Sequence, residues 1–234
     1  MDGYNPYTFN IILFAKNEEQ NMLFIINQLL RIYGADKIIA VLDGNIEPTA
    51  GILKEKNIRF IQGPDKGKGA ALRTAIKNIE SDVFVFMDAD GSHDPAEIEG
   101  LLRPLRNNEA ELVIASRFLG GSEELAGSME NLMRRSGNIL SNRVINLLWG
   151  RNKKRVSDCQ SGFRAIKREA ALGLDLEEDG FSIEQEMVIK CLKKGYRIAE
   201  VSSFESKRKY GNSHIPKFHT YYYVGCILKN LFKR

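Results

Sequence analysis

Apolar runs and helical periods divide the chain into alternating short strands and amphipathic helices. Phe9 to Ala15 (FNIILFA) is nearly all apolar and of strand length, the pattern of a strand covered on both faces. Asn17-Glu18-Glu19 then opens a helix whose apolar positions Met22, Ile25, Ile26, Leu29 and Leu30 recur at helical spacing. Lys37 to Leu42 predicts a second strand ending at Asp43-Gly44, and Ile58 to Ile61 a short third. Gly69 to Ile79 reads as a helix, Val83 to Met87 as a fourth strand, and Leu112 to Ala115 as a further one. Between the last two, Asp94, Pro95 and Glu97 have the order of an N-cap, an N1 proline and a capping-box glutamate. This alternation predicts an α/β fold, a Rossmann-like and mostly parallel sheet with helices on both faces.

After Gly120-Gly121 the pattern turns helical. Leu132, Met133, Ser136, Ile139, Leu140, Arg143, Val144, Leu147 and Leu148 form a stripe accompanied by Arg134, Arg135 and Arg143, and the basic run Arg151 to Arg155 follows. Towards the C-terminus Phe218, Tyr221, Tyr222, Leu228, Leu231 and Phe232 repeat at helical spacing beside Lys217, Lys229, Lys233 and Arg234. Basic, aromatic-rich amphipathic helices suit a membrane interface, and a stripe of this kind equally suits packing on a core. No apolar stretch approaches the ~18 residues of a membrane span, and the N-terminus lacks the basic and apolar regions of an export signal. Cys159, Cys191 and Cys226 have neither disulfide nor zinc spacing, which fits reduced thiols in the cytosol. The expectation is a cytoplasmic chain, soluble or bound at a membrane surface. No linker divides it, so residues 1–215 read as one domain and 216–234 as a C-terminal amphipathic helix.

The net charge of +4 conceals a division: residues 1–130 carry −7 and residues 131–234 carry +11. An acidic half joined to a basic half suggests a metal-bearing site beside a surface for an anionic partner. A nucleic-acid partner is not expected, because the basic residues are not interleaved with a recognised binding motif.

Candidate chemistry centres on Asp88 and Asp90, which close the fourth strand. Carboxylates at i and i+2 on a strand point the same way, and a hard divalent cation could take an oxygen from each while completing its shell with substrate phosphates. The same residues before Gly91 also suit an ordinary turn. Asp43, Asp88 and Asp90 all fall at strand ends, where parallel sheets place their ligands. The glycine-rich segment Gly63 to Leu72 (GPDKGKGAAL) could cradle phosphate with backbone N–H groups, although Lys68 and Ala70 break the P-loop pattern. Arg117, just past a strand end, could reach a phosphate or form a surface ion pair. Asp158, Glu184 and Glu186 lie in mixed polar and apolar settings; on a helix the two glutamates would face apart. Arg208 to His214 (RKYGNSH) combines cations, glycine and hydroxyl in an apparent loop.

In their order and spacing these segments resemble the family-2 glycosyltransferases of the GT-A fold. Within that family they are most similar to dolichyl- and polyprenyl-phosphate sugar synthases of the dolichol-phosphate mannosyltransferase kind. The markers span about residues 9–215: ILFAKNEE, GKGAALRTAI, FMDADGSHDP, ASRFLGG, SDCQSGFRAIKREA, GFSIEQEMVIKCLKKGYRIAEV, and Arg208, Gly211 and Ser213 as R-x-x-G-x-S. The resemblance implies Asp88 and Asp90 as holders of Mg²⁺ or Mn²⁺ on the donor diphosphate. It implies Glu18 and Asp43 on the nucleoside, with Phe14, Ala15 and Ala89 lining its pocket. Lys68, Arg117 and Arg208 would neutralise donor and acceptor phosphates, with Asp90, Arg117 and Arg208 at the reacting centre. Arg134, Arg135 and Ser136 fall where such enzymes hold the acceptor phosphate, and both arginines remain candidates. The implied reaction is metal-dependent, inverting transfer of a hexose from a UDP- or GDP-sugar to dolichyl or polyprenyl phosphate at a membrane surface. The chain departs from the family at Phe14 and Lys16 and at Asp43-Gly44, which leaves the donor's base, uridine or guanosine, open, and also at His214, where lysine is common. Alternatives are a saccharide or protein hydroxyl acceptor with Asp158, Glu184 or Glu186 as base, and a metal-dependent phosphohydrolase.

Overall fold

The computed structural model describes residues 7–16, 18–123, 125, 129–150, 155–211 and 220–233. Asn17, most of the Arg151–Arg155 run, Ser213, His214, Lys217, Phe218 and Arg234 lie outside them. Seven strands form one sheet: β1 (Phe9–Ala15), β2 (Ile38–Leu42), β3 (Arg59–Gln62), β4 (Val83–Asp88), β5 (Leu112–Ser116), β6 (Arg164–Lys167) and β7 (Ile198–Ser202). Their order across the sheet is β3-β2-β1-β4-β6-β5-β7, with every pairing parallel except those of β6 to β4 and to β5. The helices are α1 (Glu19–Leu29), α2 (Glu47–Glu55), α3 (Lys68–Asn78), α4 (Ile98–Arg106), α5 (Arg117–Gly120), α6 (Met129–Trp149), α7 (Arg168–Gly173), α8 (Ile183–Lys194) and α9 (Thr220–Phe232).

Alternation of side chains along the strands builds two cores. Ile12 and Phe14 of β1 face a core shared with α3, α7, α8 and α9, while Ile11, Leu13 and Ala15 face α1, α2 and α4. The mostly parallel α/β architecture agrees with the alternating pattern of the first 116 residues. The antiparallel β6 has no apolar run to mark it, since RAIK begins and ends on a cation. Its Arg164 is nevertheless fully buried, donating to the carbonyls of Ser161, Glu184 and Cys159.

Of the local expectations around Asp94, one is corrected. Asp94 does cap, accepting from Ala96 N–H at 2.9 Å, and the residues that follow form a 3₁₀ turn, Pro95–Glu97. Glu97 does not complete a capping box. It reaches across to Ser203 Oγ and to Phe204 N–H at 3.2 Å, because those donors belong to the segment that packs beside it.

Burial decides the direction of the two basic stripes, which by sequence suit either a membrane interface or a core. On α6 the exposed residues Met129, Met133, Leu140 and Leu147 follow each other at spacings of four and seven, which is one helix face. Buried Asn138, Asn142 and Ile145 occupy the opposite face. Asn142 accepts from Cys159 N–H at 3.1 Å, and Asn146 exchanges two hydrogen bonds with the backbone of Val156. On α9 Tyr223, Cys226, Ile227 and Asn230 turn inward, whereas Tyr221, Tyr222, Leu228, Leu231 and Phe232 are exposed. Both stripes therefore face outward.

Helix α1 offers a direct check of its buried face. Ile26 is fully buried and Leu23 is 39% exposed. In urea denaturation Ile26→Ala is expected to destabilise by about 2–5 kcal/mol, and Leu23→Ala by roughly 0.5 kcal/mol or less.

Candidate active site

Strand β1 leads to β2 on one side of the sheet, while β4 lies on its other side, so the carboxyl ends of β1 and β4 flank a topological switch point. A cavity of about 440 Å³ opens there. Phe14, Ala15, Lys16 and Glu18 enter it from the end of β1, Asp43 from β2, Asp88, Ala89 and Asp90 from β4, and Arg117 from the start of α5. The antiparallel β6 contributes indirectly. Because it runs opposite to β4 and β5, with Arg164 opposite Phe86 and Ile114, the loop entering it arrives at their carboxyl ends. That loop carries Asp158, Gln160 and Gly162. Gly162 lies so close to Asp88 and Lys68 that a Cβ there would meet Asp88 Oδ2 and Lys68 Nζ, so a larger residue would displace that ion pair.

Lys68, Arg134 and Arg208 also line the cavity, whereas Arg135 and Ser136 are exposed and lie outside its wall. Residues that no motif singled out are there too: Glu205, from the segment after β7, and Tyr223 of α9. An isolated glutamate and one tyrosine among several carry no periodic or spacing signal.

Three of the cavity's cations are already partnered. Lys68 Nζ lies 2.6 Å from Asp88 Oδ1 and 2.7 Å from Glu184 Oε1. Arg117 grips Asp158 with two prongs, Nε to Oδ2 at 2.7 Å and Nη2 to Oδ1 at 2.9 Å, and its Nη1 lies 3.4 Å from Glu205. Arg208 Nη2 lies 2.9 Å from Glu18 and 3.5 Å from Asp90. Burial alone would push the Asp88 carboxyl up, but the Lys68 ammonium outweighs it and holds the group below its ordinary value. Asp158 behaves in the same way: burial raises it, and the charge and hydrogen bonds of Arg117 bring it down further. Burial pulls Lys68 down, and Asp88 with Glu184 more than offsets this, leaving it raised.

Of the three carboxylates considered as a base, only Glu184 reaches the cavity. Asp158 is fully buried under Arg117. Glu186 points the other way, accepting from the N–H groups of Glu177 and Glu178 and pairing with Lys190 at 2.9 Å.

The glycine-rich segment is arranged differently from a phosphate cradle. The N–H groups of Gly69 and Ala70 both donate to the carbonyl of Asp179, at 2.8 and 3.2 Å, so the first turn of α3 is already capped by protein. Gly67 adopts a φ of +109°, and its N–H donates to Asp43 at 3.2 Å, beside that of Asp65 at 2.6 Å. Asp43 thus anchors this loop, and the segment presents to the cavity the Lys68 side chain.

Among the described residues no trio of His, Cys, Asp or Glu could close around a metal. Asp88 and Asp90 by themselves could offer a hard cation two carboxylates, and such a cation would keep waters and take further oxygens from a substrate. Asp90 Oδ1 accepts from Ser92 N–H at 3.0 Å and Ser92 Oγ at 2.7 Å, which fixes the carboxylate. The pair fits a cation that arrives with its diphosphate rather than one caged by protein.

The fold is shared with a glucosyl-3-phosphoglycerate synthase of Mycobacterium tuberculosis, solved in complex with Mn²⁺, UDP and phosphoglyceric acid. The two superpose with a TM-score of 0.74 at 19% identity, over 98% of this chain and 80% of that one. This is the GT-A fold. A low-salt glycan biosynthesis hexosyltransferase of Haloferax volcanii is 29% identical over 82% of this chain, which spans 46% of that relative's length. A UDP-N-acetylglucosamine–dolichyl-phosphate N-acetylglucosaminyltransferase of Methanococcus voltae is 30% identical, the match covering 82% of each chain. Residues 10–172 match the model of the glycosyl transferase family 2 domain, and the chain belongs to that family of glycosyltransferases.

Proposed function

We propose that this domain transfers a hexose from a UDP- or GDP-sugar to the phosphate of a dolichyl or polyprenyl phosphate, feeding glycan or glycoprotein assembly. One observation carries the reading: the cavity gathers Lys16, Lys68, Arg117, Arg134 and Arg208 against Glu18, Asp43, Asp88, Asp90, Glu184 and Glu205. Five cations suit a site for several phosphates, yet six carboxylates leave it formally at −1. A diphosphate entering alone would meet no net attraction. A divalent cation, Mg²⁺ or Mn²⁺, held by Asp88 and Asp90 would supply the missing positive charge and stabilise the departing nucleoside diphosphate. The Mn²⁺ and UDP of the mycobacterial structure and the dolichyl-phosphate acceptor in the name of the Methanococcus relative support the choice of partners.

A phosphate acceptor simplifies the chemistry. Its second pKa is near ~6, so it reaches neutral pH as a dianion and needs no proton removed before it attacks. Arg117 and Arg134 would hold it, while Lys68 and Arg208 face the diphosphate; the protein's task is alignment for in-line displacement and charge stabilisation. The carboxylate partners of Lys68, Arg117 and Arg208 keep those side chains extended and ordered before substrate arrives. The outward stripes of α6 and α9 support a membrane-surface location, because both helices also reach the cavity, through Arg134 and Tyr223. Among the described residues no helix is long and apolar enough to cross a membrane. A second reading, transfer to a saccharide or protein hydroxyl, is favoured by Glu184, the one base candidate in the cavity wall.

Incubation with radiolabelled UDP- and GDP-sugars and polyprenyl phosphate is expected to give organic-phase product with at least one donor, dependent on divalent metal. Asp90→Asn is expected to lower that transfer by ~100-fold or more. Label appearing only on a saccharide or protein acceptor would replace this reading with the second. Pelleting with vesicles rich in anionic lipid is expected for the wild type, and Leu147→Glu with Phe232→Glu to reduce it; equal pelleting of both proteins would remove the surface assignment.

The ion pairs also set an acid limit. In the unfolded chain Asp88 and Asp158 would titrate near ~3.9, and both are depressed in the fold. The stability they contribute is complete above that value and lost as pH falls through the folded ones, so acid destabilisation belongs below about pH 4. Arg117→Met removes the partner holding Asp158 down. It is expected to shift the acid limb of a urea-stability profile to higher pH, and to destabilise at neutral pH by about 3–5 kcal/mol.

A further inference from the structure

The segment following β7 crosses the loop that carries Asp90. Ser206 N–H donates to the Ser92 carbonyl at 2.9 Å, and Lys209 N–H to the Asp90 carbonyl at 3.1 Å. Its far end is secured by a side chain outside the cavity wall. Asn21, on the first turn of α1 and 2% exposed, binds both backbone polar groups of Tyr210: Oδ1 accepts its N–H at 3.0 Å, and Nδ2 donates to its carbonyl at 3.0 Å. The same Nδ2 donates to Glu18 Oε2, while Glu18 Oε1 accepts from Arg208 at 2.9 Å. One helical turn on, the ring of Phe24 lies 5.4 Å beneath the Lys209 ammonium.

We infer that Asn21 is a positioning residue: it clasps the 206–210 strap onto α1 and, with Glu18, sets Arg208 over Asp90. This rests on the reading of Asp90 and Arg208 as groups that handle the donor diphosphate. Only an amide of this length offers a donor and an acceptor to one residue's backbone while still facing a glutamate. A carboxylate cannot donate, and it would repel Glu18. Asn21 does not line the cavity, so its effect on transfer passes through Glu18, the strap and Arg208. The clasp also joins the two sides of the site, since α1 follows the strand end assigned to the donor and the strap that carries Arg208 begins directly after Glu205, which lies beside Arg117.

Two measurements test it. Lys207, Arg208 and Lys209 are trypsin sites within the strap, and cleavage of a native protein tracks local opening. Asn21→Ala and the nearly isosteric Asn21→Asp are both expected to be cut there about tenfold faster than wild type, with little change in Tm. Unchanged cleavage in both overturns the clasp, and wild-type cleavage in Asn21→Asp alone reduces Asn21 to packing. This arm needs no substrate, so it stands even if the acceptor is not a lipid phosphate. In the transfer assay Asn21→Asp is expected to lower kcat/KM about tenfold in the wild-type background and to have little effect beside Arg208→Lys. An equal loss in both backgrounds shows that Asn21 does not act through Arg208 and overturns the assignment.

Discussion

A guanidinium buried without a carboxylate within ion-pair reach is a severe constraint, and the site is assembled around one. Arg164 is fully removed from solvent, and its partners among the described residues are backbone carbonyls of the loop before β6 and of the first turn of α8. Burial disfavours its charge, and the carboxylates of Glu184 and Asp158 nearby partly restore it. Hydrogen bonds to several carbonyls at once are what make such a group tolerable. Those bonds fasten the loop bearing Asp158 and Gly162 to the helix bearing Glu184, so the partners of Arg117 and Lys68 arrive together.

The cavity that results is nearly balanced in charge while its polar groups are held at short range. Lys68, Arg117 and Arg208 each bridge two carboxylates contributed by different segments, so the pairs act as cross-links among strand ends, α8 and the strap after β7. An arrangement of this kind is organised before any phosphate enters. Under the proposed function, binding would be an exchange of anionic partners around cations already in place, lowering the reorganisation that charge transfer demands. The outward apolar faces of α6 and α9 belong to the same design. The asparagines of α6 are spent on the loop before β6, leaving Met129, Met133, Leu140 and Leu147 on the outside.

Much of the frame was legible beforehand. The strands FNIILFA, IIAVL and VFVFM are apolar because both sheet faces are covered, and that pattern survives without any tertiary information. Asp43, Asp88, Asp90 and Arg117 stood out because they follow such runs directly, and strand ends are where a parallel sheet opens. Strand β6 was not legible, since its most deeply buried residue is an arginine. The stripe on α6 was legible as a stripe but not in its direction: its apolar face suited a membrane interface and a core alike, while the inward face carries Asn138 and Asn142 beside Ile145. Glu205 and Asn21 gave no signal as site residues, because their roles depend on partners 88 and 189 positions away.

What the sequence determined by itself was therefore the alternation of elements and the acidic and basic residues at strand ends, since both are written in periods of two to seven residues. Tertiary structure decided the antiparallel insertion of β6, the choice of Arg134 rather than Arg135 in the cavity wall, and the pairing of each cation. It also decided which way α6 and α9 face. The physical reason is common to all of these. A local pattern records whether a face is apolar, but which partner satisfies a buried charge depends on loops that only the closed sheet brings together.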